Sequence, residues 1–234
     1  MTSTPSVVQL CHTCGGGAPI DLHFCQQCSK ILTFVRQGDY FAFLGVPRHL
    51  TLDTADLDRR FRALSRQFHP DFYANASAAE RRASLERSSY LNDAYRTLRA
   101  PDLRVAYLLE VEHVLTAADR GDSGHAAQPP TALLEEVFTL NEELDEVRSL
   151  KHSGATEAEW QERLERAAMP IYAKRDEHER ELQELSARWD GLAARPASDP
   201  DRVAVLTALR DRVLERNYIS NLLDTIARES QGSL

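Results

Sequence analysis

The sequence predicts a mainly α-helical protein in which two helical domains follow a small N-terminal ribbon. Three observations support this prediction. All four cysteines of the 234-residue chain lie within its first 28 residues. After residue 39, apolar residues recur at the three- and four-residue spacing of amphipathic helices. A small, polar stretch containing glycine and proline, residues 116–130, divides the helical part into residues 39–115 and 131–234.

Composition and charge exclude several classes of protein. Apolar residues make up 42% and charged residues 27%, which is an ordinary globular composition. No apolar run approaches the ~18 residues that a membrane-spanning helix needs. The formal net charge is -8, and the acidic excess lies in residues 116–234, where it would repel nucleic acid and anionic lipid. The first residues lack the pattern of a signal or transit peptide, so we expect a cytoplasmic protein.

The cysteines form two CxxC pairs in residues 1–38, the segment called the head below. The pairs are Cys11 with Cys14 and Cys25 with Cys28. Four thiolates complete a tetrahedral shell without an open position, so this spacing predicts a structural zinc site. His12 and His23 lie nearby in sequence, but the four cysteines already fill the shell. Iron in the same tetrathiolate shell is the alternative, whereas disulfides are disfavoured because no secretion signal is evident.

A basic amphipathic helix is predicted before a short loop with the sequence His69-Pro70-Asp71. The helix begins at an N-cap, Asp53 or Thr54, and ends near Phe68, because a proline disfavours the helical conformation of the residue before it. The apolar residues of this helix are Leu57, Phe61, Leu64 and Phe68. Its other faces carry the basic residues Arg59, Arg60, Arg62 and Arg66.

A second helix is predicted from about Ser77 to Arg99, and Pro101 fits the first turn of a further short helix. The side chains that we expect this second helix to bury are Leu85, Leu91, Ala94, Tyr95 and Leu98. Two amphipathic helices around a His-Pro-Asp loop resemble the J domain, the module that activates DnaK-type chaperones. DYFAFLGVP at residues 39–47 is similar to the first short helix of that domain, and NDAYRTLRAP at residues 92–101 to the end of its third.

This resemblance covers roughly residues 39–112 and implies a protein without chemistry of its own. In the family, the loop docks on the ATP-bound chaperone and promotes ATP hydrolysis there. Pro70 stiffens the loop, His69 offers two ring nitrogens, and Asp71 offers a carboxylate to a cationic partner. The exposed basic residues would pair with acidic chaperone surface or else form a solvated helix face. They are Arg59, Arg62 and Arg66.

Residues 131–234 predict an antiparallel three-helix bundle with helices at about 131–150, 155–190 and 201–228. Thr131 is the expected N-cap of the first helix, and Pro170 is expected to kink or break the second. The first helix carries a core stripe formed by Leu133, Val137, Leu140, Leu144 and Val147. Leu134 and Phe138 flank this stripe, so they belong either to a broad buried face or to a surface for a partner.

The whole arrangement resembles the HscB-type J-domain co-chaperones of iron–sulfur cluster assembly, chiefly through TALLEEVFTLNEELDE at residues 131–146. The CxxC pairs are similar to the N-terminal extension of the eukaryotic mitochondrial form. The resemblance implies a J domain, a scaffold-binding bundle and a metal-binding head. The implied scaffold-binding residues are Leu134, Glu135, Phe138, Thr139, Glu142 and Tyr218. Glu135 and Thr139 depart from the bacterial pattern, in which methionine and glutamate are usual.

These expectations describe a non-enzymatic adaptor. It would bring an IscU-type scaffold protein to a DnaK- or HscA-type ATPase and promote cluster assembly or transfer. The alternatives are a general J-domain co-chaperone for unfolded clients and an iron-binding tetrathiolate protein. The first normally carries a Gly/Phe-rich segment or a β-rich client domain, and the sequence has neither. We expect no nucleic-acid or membrane partner, and the sequence leaves homodimerisation open.

Overall fold

The computed structural model describes residues 8–19, 22–34, 39–115 and 133–231 of the chain. The chain divides into two compact units, Met1–Val111 and Glu112–Leu234. The expected linker at residues 116–130 and the expected N-cap Thr131 lie outside the described residues. Within the described part, no helix is both long enough and apolar enough to cross a membrane.

The head is a small ribbon at the start of the first unit. Strands β1 (Val8–Leu10) and β2 (Gly17–Pro19) pair antiparallel, and an isolated bridge between Phe24 and Ile31 closes a second loop. Gly15 follows the first cysteine pair with a φ of 72°, a left-handed conformation that favours glycine. The buried core of the ribbon consists of Cys11, Ala18, Cys25 and Leu32.

Four helices complete the first unit. They are α1 (Tyr40–Leu44), α2 (Thr54–Phe68), α3 (Ala78–Arg99) and α4 (Pro101–Val111). Asp53 caps α2 because its carboxylate accepts hydrogen bonds from two backbone N–H groups of the first turn. Ser77 and Glu80 form a capping box at the start of α3. Both starts agree with the sequence prediction, and α2 ends at Phe68, before Pro70, as expected.

The buried face of α3 differs from the predicted one at Leu85. Three of the expected residues are buried, namely Leu91, Ala94 and Leu98. Tyr95 is half-buried and stacks on Phe61 with 4.0 Å between the ring centroids. Leu85 is 58% exposed, so its expected burial is wrong. Ser84 and Arg87 form the inward face at this level, and Leu85 lies ~100° around the helix from Ser84.

The second unit contains the three long helices of the predicted bundle. They are α5 (Leu134–Ser153), α6 (Glu157–Leu192) and α7 (Pro200–Ser230). The stripe predicted for the first of them is buried throughout, namely Leu133, Val137, Leu140, Leu144 and Val147. Leu164 and Ile171 of α6 and Ile219 and Leu222 of α7 complete the same core. The fold is therefore mainly α-helical, with a cysteine-bearing ribbon at the N-terminal end.

Pro170 does not interrupt the second helix of the bundle. Helix α6 runs continuously over Glu157–Leu192, so the break that the sequence suggested at Pro170 does not occur. Pro170 itself is exposed, whereas Ala168 and Ile171 on either side are buried in the bundle core. The burial of these neighbours outweighs the loss of the one hydrogen bond that proline cannot donate.

Candidate functional site

The His-Pro-Asp loop lies at the end of α2, where the chain turns toward α3. His69 adopts an extended backbone (φ −57°, ψ 125°), as expected before proline, and Pro70–Tyr73 form a 3₁₀ turn. The backbone N–H of Asp71 donates to Nδ1 of His69 at 3.3 Å, and the N–H of Phe72 donates to the His69 carbonyl at 3.0 Å. The side chains of His69 and Asp71 are 53% and 85% exposed. The loop therefore presents an imidazole and a carboxylate to solvent.

The backbone that leads into this loop is held by hydrogen bonds from side chains. The end of a helix leaves carbonyl groups without intrahelical partners. Here the carbonyl of Phe68 accepts hydrogen bonds from the hydroxyls of Ser84 at 2.6 Å and Ser88 at 2.9 Å. The Tyr73 hydroxyl donates to the carbonyl of Gln67 at 3.0 Å. The backbone is thus fixed while the two functional side chains remain exposed.

The predicted basic residues of α2 do not all play the same part. Arg59, Arg62 and Arg66 are exposed, as a surface for a partner requires. Arg59 pairs with Asp56 at 2.6 Å, which neutralises part of this face. Arg60 also pairs with Asp56, and its Nη1 donates to the carbonyl of Gly45 at 2.7 Å. The pKa of Asp56 is lowered chiefly because Arg60 donates a hydrogen bond to its carboxylate. Arg60 therefore joins α2 to the end of α1.

The head brings the thiols of all four cysteines together. The four Sγ atoms lie within 4.8 Å of one another. The Sγ atoms of Cys11 and Cys28 are 3.6 Å apart, and those of Cys14 and Cys25 are 3.7 Å apart. A tetrahedral ion with metal–sulfur bonds of about 2.3 Å would place its thiolates about 3.8 Å apart. The donor set and its spacing therefore fit a tetrahedral metal ion, as the sequence predicted.

Backbone N–H groups prepare this site for negative charge. Hydrogen bonds from the backbone N–H groups of Cys14 and Thr13 are the main reason why the pKa of Cys11 is lowered to about 6. Those of Cys28 and Gln27 likewise lower the pKa of Cys25. The N–H of Lys30 lowers the pKa of Cys28, but burial and the neighbouring thiols together raise it to about 12. The neighbouring thiols thus compete for negative charge within one site, and a metal cation would stabilise all four as thiolates.

The histidines near the cysteines are not part of the sulfur cluster. His12 is exposed. The ring of His23 packs against the rings of Phe43 and Phe68, with centroid distances of 4.8 Å and 5.0 Å. Its Nδ1 is 3.2 Å from Nη1 of Arg87, which can only donate, so His23 accepts a hydrogen bond there. The described residues therefore support cysteine rather than histidine ligation.

The residues predicted to bind a scaffold protein lie on α5 and α7, which share one core. Leu134 is half-buried, and Phe138 is 67% exposed. Three polar residues of this predicted set are exposed, namely Glu135, Thr139 and Glu142. Tyr218 of α7 is half-buried against the bundle core. Phe138 therefore belongs to the surface rather than to a broad buried face, and an exposed phenylalanine beside acidic residues suits a partner-binding patch.

Arg87 is an important residue that the sequence reasoning missed. It is 3% exposed and contacts both the head and the ring of Phe68, the residue before the loop. A signal was present in the sequence, because Arg87 shares the three- and four-residue spacing of Ser84 and Leu91. Its charge hides this signal, because a charged side chain is normally exposed and a buried arginine requires partners that the folded head supplies here.

Comparisons with known proteins agree with this geometry. Residues 39–107 match the family model of the DnaJ domain. The fold and the His-Pro-Asp loop of these residues are thus those of a J domain. Human co-chaperone protein HscB is similar with a TM-score of 0.64 and 26% identity, over 94% of this chain and 98% of that chain. Chaperone HscB from Vibrio cholerae is similar with a TM-score of 0.54 and 26% identity, over 81% and 96%. The chain thus contains a J domain and has a fold similar to that of the co-chaperone HscB.

Proposed function

We propose that this protein stimulates the ATPase of a DnaK- or HscA-type chaperone and delivers an IscU-type scaffold protein to it, promoting iron–sulfur cluster assembly or transfer. The observation that carries the proposal is the loop at the end of α2. Its backbone is held by hydrogen bonds, whereas the side chains of His69 and Asp71 are more than half exposed. A loop that is already ordered loses little conformational entropy when it binds.

The charges around the loop support a basic surface for an acidic partner. Arg62 and Arg66 are exposed on the helix that leads into the loop, and Arg59 is exposed although it pairs with Asp56. Such charges mainly raise the rate of encounter, because exposed ion pairs contribute little to affinity. Specific recognition would then depend on His69 and Asp71, which offer a ring nitrogen and a carboxylate in a fixed arrangement.

The bundle supplies the second half of the proposed function. Phe138 offers an apolar anchor, and the acidic residues beside it offer charge complementarity. A chain that holds the scaffold protein and the chaperone at once raises their effective concentration for each other. Hydrolysis triggered by the loop would then shift the chaperone to the state that retains its client.

Replacing His69 by glutamine is expected to lower stimulation of a cognate chaperone's ATPase at least tenfold. Glutamine keeps a polar side chain but lacks the exposed imidazole ring, whose Nδ1 accepts a hydrogen bond from the N–H of Asp71. Steady-state ATP hydrolysis by the chaperone measures the effect. His49→Gln makes the same chemical change outside the loop and should leave stimulation within twofold. Equal stimulation by His69→Gln and the wild-type protein would contradict the proposed role of the loop.

Replacing Phe138 by serine is expected to weaken binding of an IscU-type scaffold at least tenfold, as loss of a central apolar anchor does. Because Phe138 is 67% exposed, the melting temperature should change little. Isothermal titration calorimetry measures the affinity. Met169→Ser removes another exposed apolar side chain, 63% exposed on α6, and serves as the matched control. If the wild-type protein binds no scaffold, the general co-chaperone alternative is favoured.

The proposed metal is a structural zinc ion held by Cys11, Cys14, Cys25 and Cys28. Four thiolates leave no open position for chemistry, so the ion would supply cross-linking of the head and not catalysis. Iron fits the same donor set, and colour separates the two, because zinc is d¹⁰ and ferric thiolate absorbs visible light. We expect a colourless protein with one zinc per chain by elemental analysis. A coloured protein with stoichiometric iron would contradict zinc.

A further inference from the structure

We propose that the metal-bound head positions the His-Pro-Asp loop through Arg87, so that Arg87 is a positioning residue for the chaperone-binding site. The inference rests on the proposed chaperone function for its biological meaning. The coupling between head and loop rests on contacts within the first unit alone. It extends from the peptide that follows the second cysteine pair, through a buried guanidinium, to the last residue of α2.

On one side, the guanidinium of Arg87 binds the head. Its Nη2 donates to the carbonyls of Leu32 at 3.2 Å and Thr33 at 3.3 Å, and its Nη1 donates to Nδ1 of His23 at 3.2 Å. The guanidinium also lies over the ring of Phe34, 5.3 Å from its centroid. These acceptors are two main-chain carbonyls and one ring nitrogen, so they are in place only while the head is folded.

On the other side, Arg87 and the head enclose Phe68. The guanidinium of Arg87 lies 5.8 Å from the centroid of the Phe68 ring. The rings of His23 and Phe24, both from the head, lie 5.0 Å and 5.9 Å from that ring. Phe68 is fully buried and directly precedes His69. The position of the loop's first residue therefore depends on side chains that the head supplies.

A buried guanidinium makes this contact sensitive to the fold of the head. Burial lowers the pKa of Arg87 to about 10, so the side chain still carries its charge at neutral pH. A buried cation is tolerated only with hydrogen-bonding partners, and those found for Arg87 belong to the head. If the head unfolds, Arg87 must move toward water, and the packing around Phe68 changes with it.

The same turn of α3 also holds the loop backbone. Ser84 and Ser88, which donate to the carbonyl of Phe68, lie three residues before and one residue after Arg87. Lys30 of the head forms an ion pair at 3.3 Å with Glu80, the capping residue at the start of α3. A displacement of α3 or of Arg87 would thus move the loop in two ways. It would shift Ser84 and Ser88, which bind the Phe68 carbonyl, and it would change the packing around the Phe68 ring.

Amide hydrogen exchange of the full chain, without any chaperone, tests the coupling. The reporters are the N–H groups of Phe72 and Ala74, which donate to the carbonyls of His69 and Asp71. We expect exchange at these sites to become at least tenfold faster when EDTA removes the metal from the wild-type protein. We expect a similar acceleration in metal-loaded Arg87→Gln. Arg82→Gln, at an 81% exposed side chain on the same helix, should behave as the wild-type protein does.

Non-additivity separates positioning from simple destabilisation. If the metal acts on the loop through Arg87, EDTA should accelerate exchange at Phe72 and Ala74 in the wild-type protein but add nothing in Arg87→Gln. Additive effects would overturn the inference. Unchanged exchange at the loop after the head has lost its metal would overturn it as well. If Arg87→Gln does not fold, Arg87→Lys replaces it in this comparison, and the EDTA measurement on the wild-type protein can still overturn the coupling.

The functional consequence is measured separately. Arg87→Gln is expected to lower chaperone ATPase stimulation at least threefold, and Arg87→Lys, which keeps the charge, should restore part of it. If the wild-type protein does not stimulate any DnaK-type ATPase, the proposed function fails while the exchange result still decides the coupling. If ATPase stimulation is normal but amide exchange at the loop changes neither on metal removal nor in Arg87→Gln, the inferred coupling is wrong and the proposed function stands.

Discussion

Removal of the metal is expected to unfold the head and to lower the thermal stability of the first unit. The ribbon buries only a few side chains of its own, and two of them, Cys11 and Cys25, are ligand candidates. A core of this size does not fold without a cross-link. Structural zinc sites contribute roughly 10–16 kcal/mol of apparent free energy in zinc-finger peptides, so a bound ion is expected to be the main source of the head's stability.

Thermal unfolding with and without EDTA measures this effect, and added zinc should restore the original transition. Magnesium should not, because it prefers oxygen ligands. Cys25→Ser removes a buried ligand and should reproduce the effect of EDTA. His12→Ala, at an exposed residue outside the sulfur cluster, should not change the transition. An unchanged transition in a protein shown to be free of metal would contradict a structural role for the ion.

Replacing Phe68 by alanine is expected to destabilise the first unit by about 3–5 kcal/mol, the usual cost of removing a fully buried phenylalanine. Phe68 is 0% exposed and contacts the rings of His23, Phe24 and Phe43. The cavity would form where the head, α2 and α3 meet. Phe72→Ala removes the same side chain at a position that is 74% exposed, and should change stability by less than about 0.5 kcal/mol.

Urea unfolding measures this loss if the two units are observed separately. Both tryptophans of the chain, Trp160 and Trp189, lie in the second unit, so their fluorescence reports the bundle. Far-UV circular dichroism reports both units. We expect Phe68→Ala to shift the unfolding transition of the first unit, which only circular dichroism detects. The fluorescence transition of the second unit should not change. A loss below about 1 kcal/mol would contradict the burial and ring contacts on which this prediction rests.

Helix positions were predictable because their signals are local. The bundle helices begin and end within about three residues of the predicted bounds, and α2 begins and ends as Asp53 and Pro70 indicate. Side-chain burial was less predictable. Leu85 is exposed because α3 turns Ser84 and Arg87 inward, and Pro170 is accommodated because its neighbours are buried. In both cases tertiary packing outweighs the local preference.

The sequence alone determined the ribbon with its cysteine pairs, the loop at residues 69–71 and the identity of the helices, because spacing, caps and proline act over a few residues. Only the tertiary structure decided that Phe138 is exposed rather than part of a broad buried face. It also decided that Arg87 is buried between the head and Phe68. These outcomes depend on contacts between segments far apart in sequence, and a buried charge is tolerated only where such contacts supply its partners.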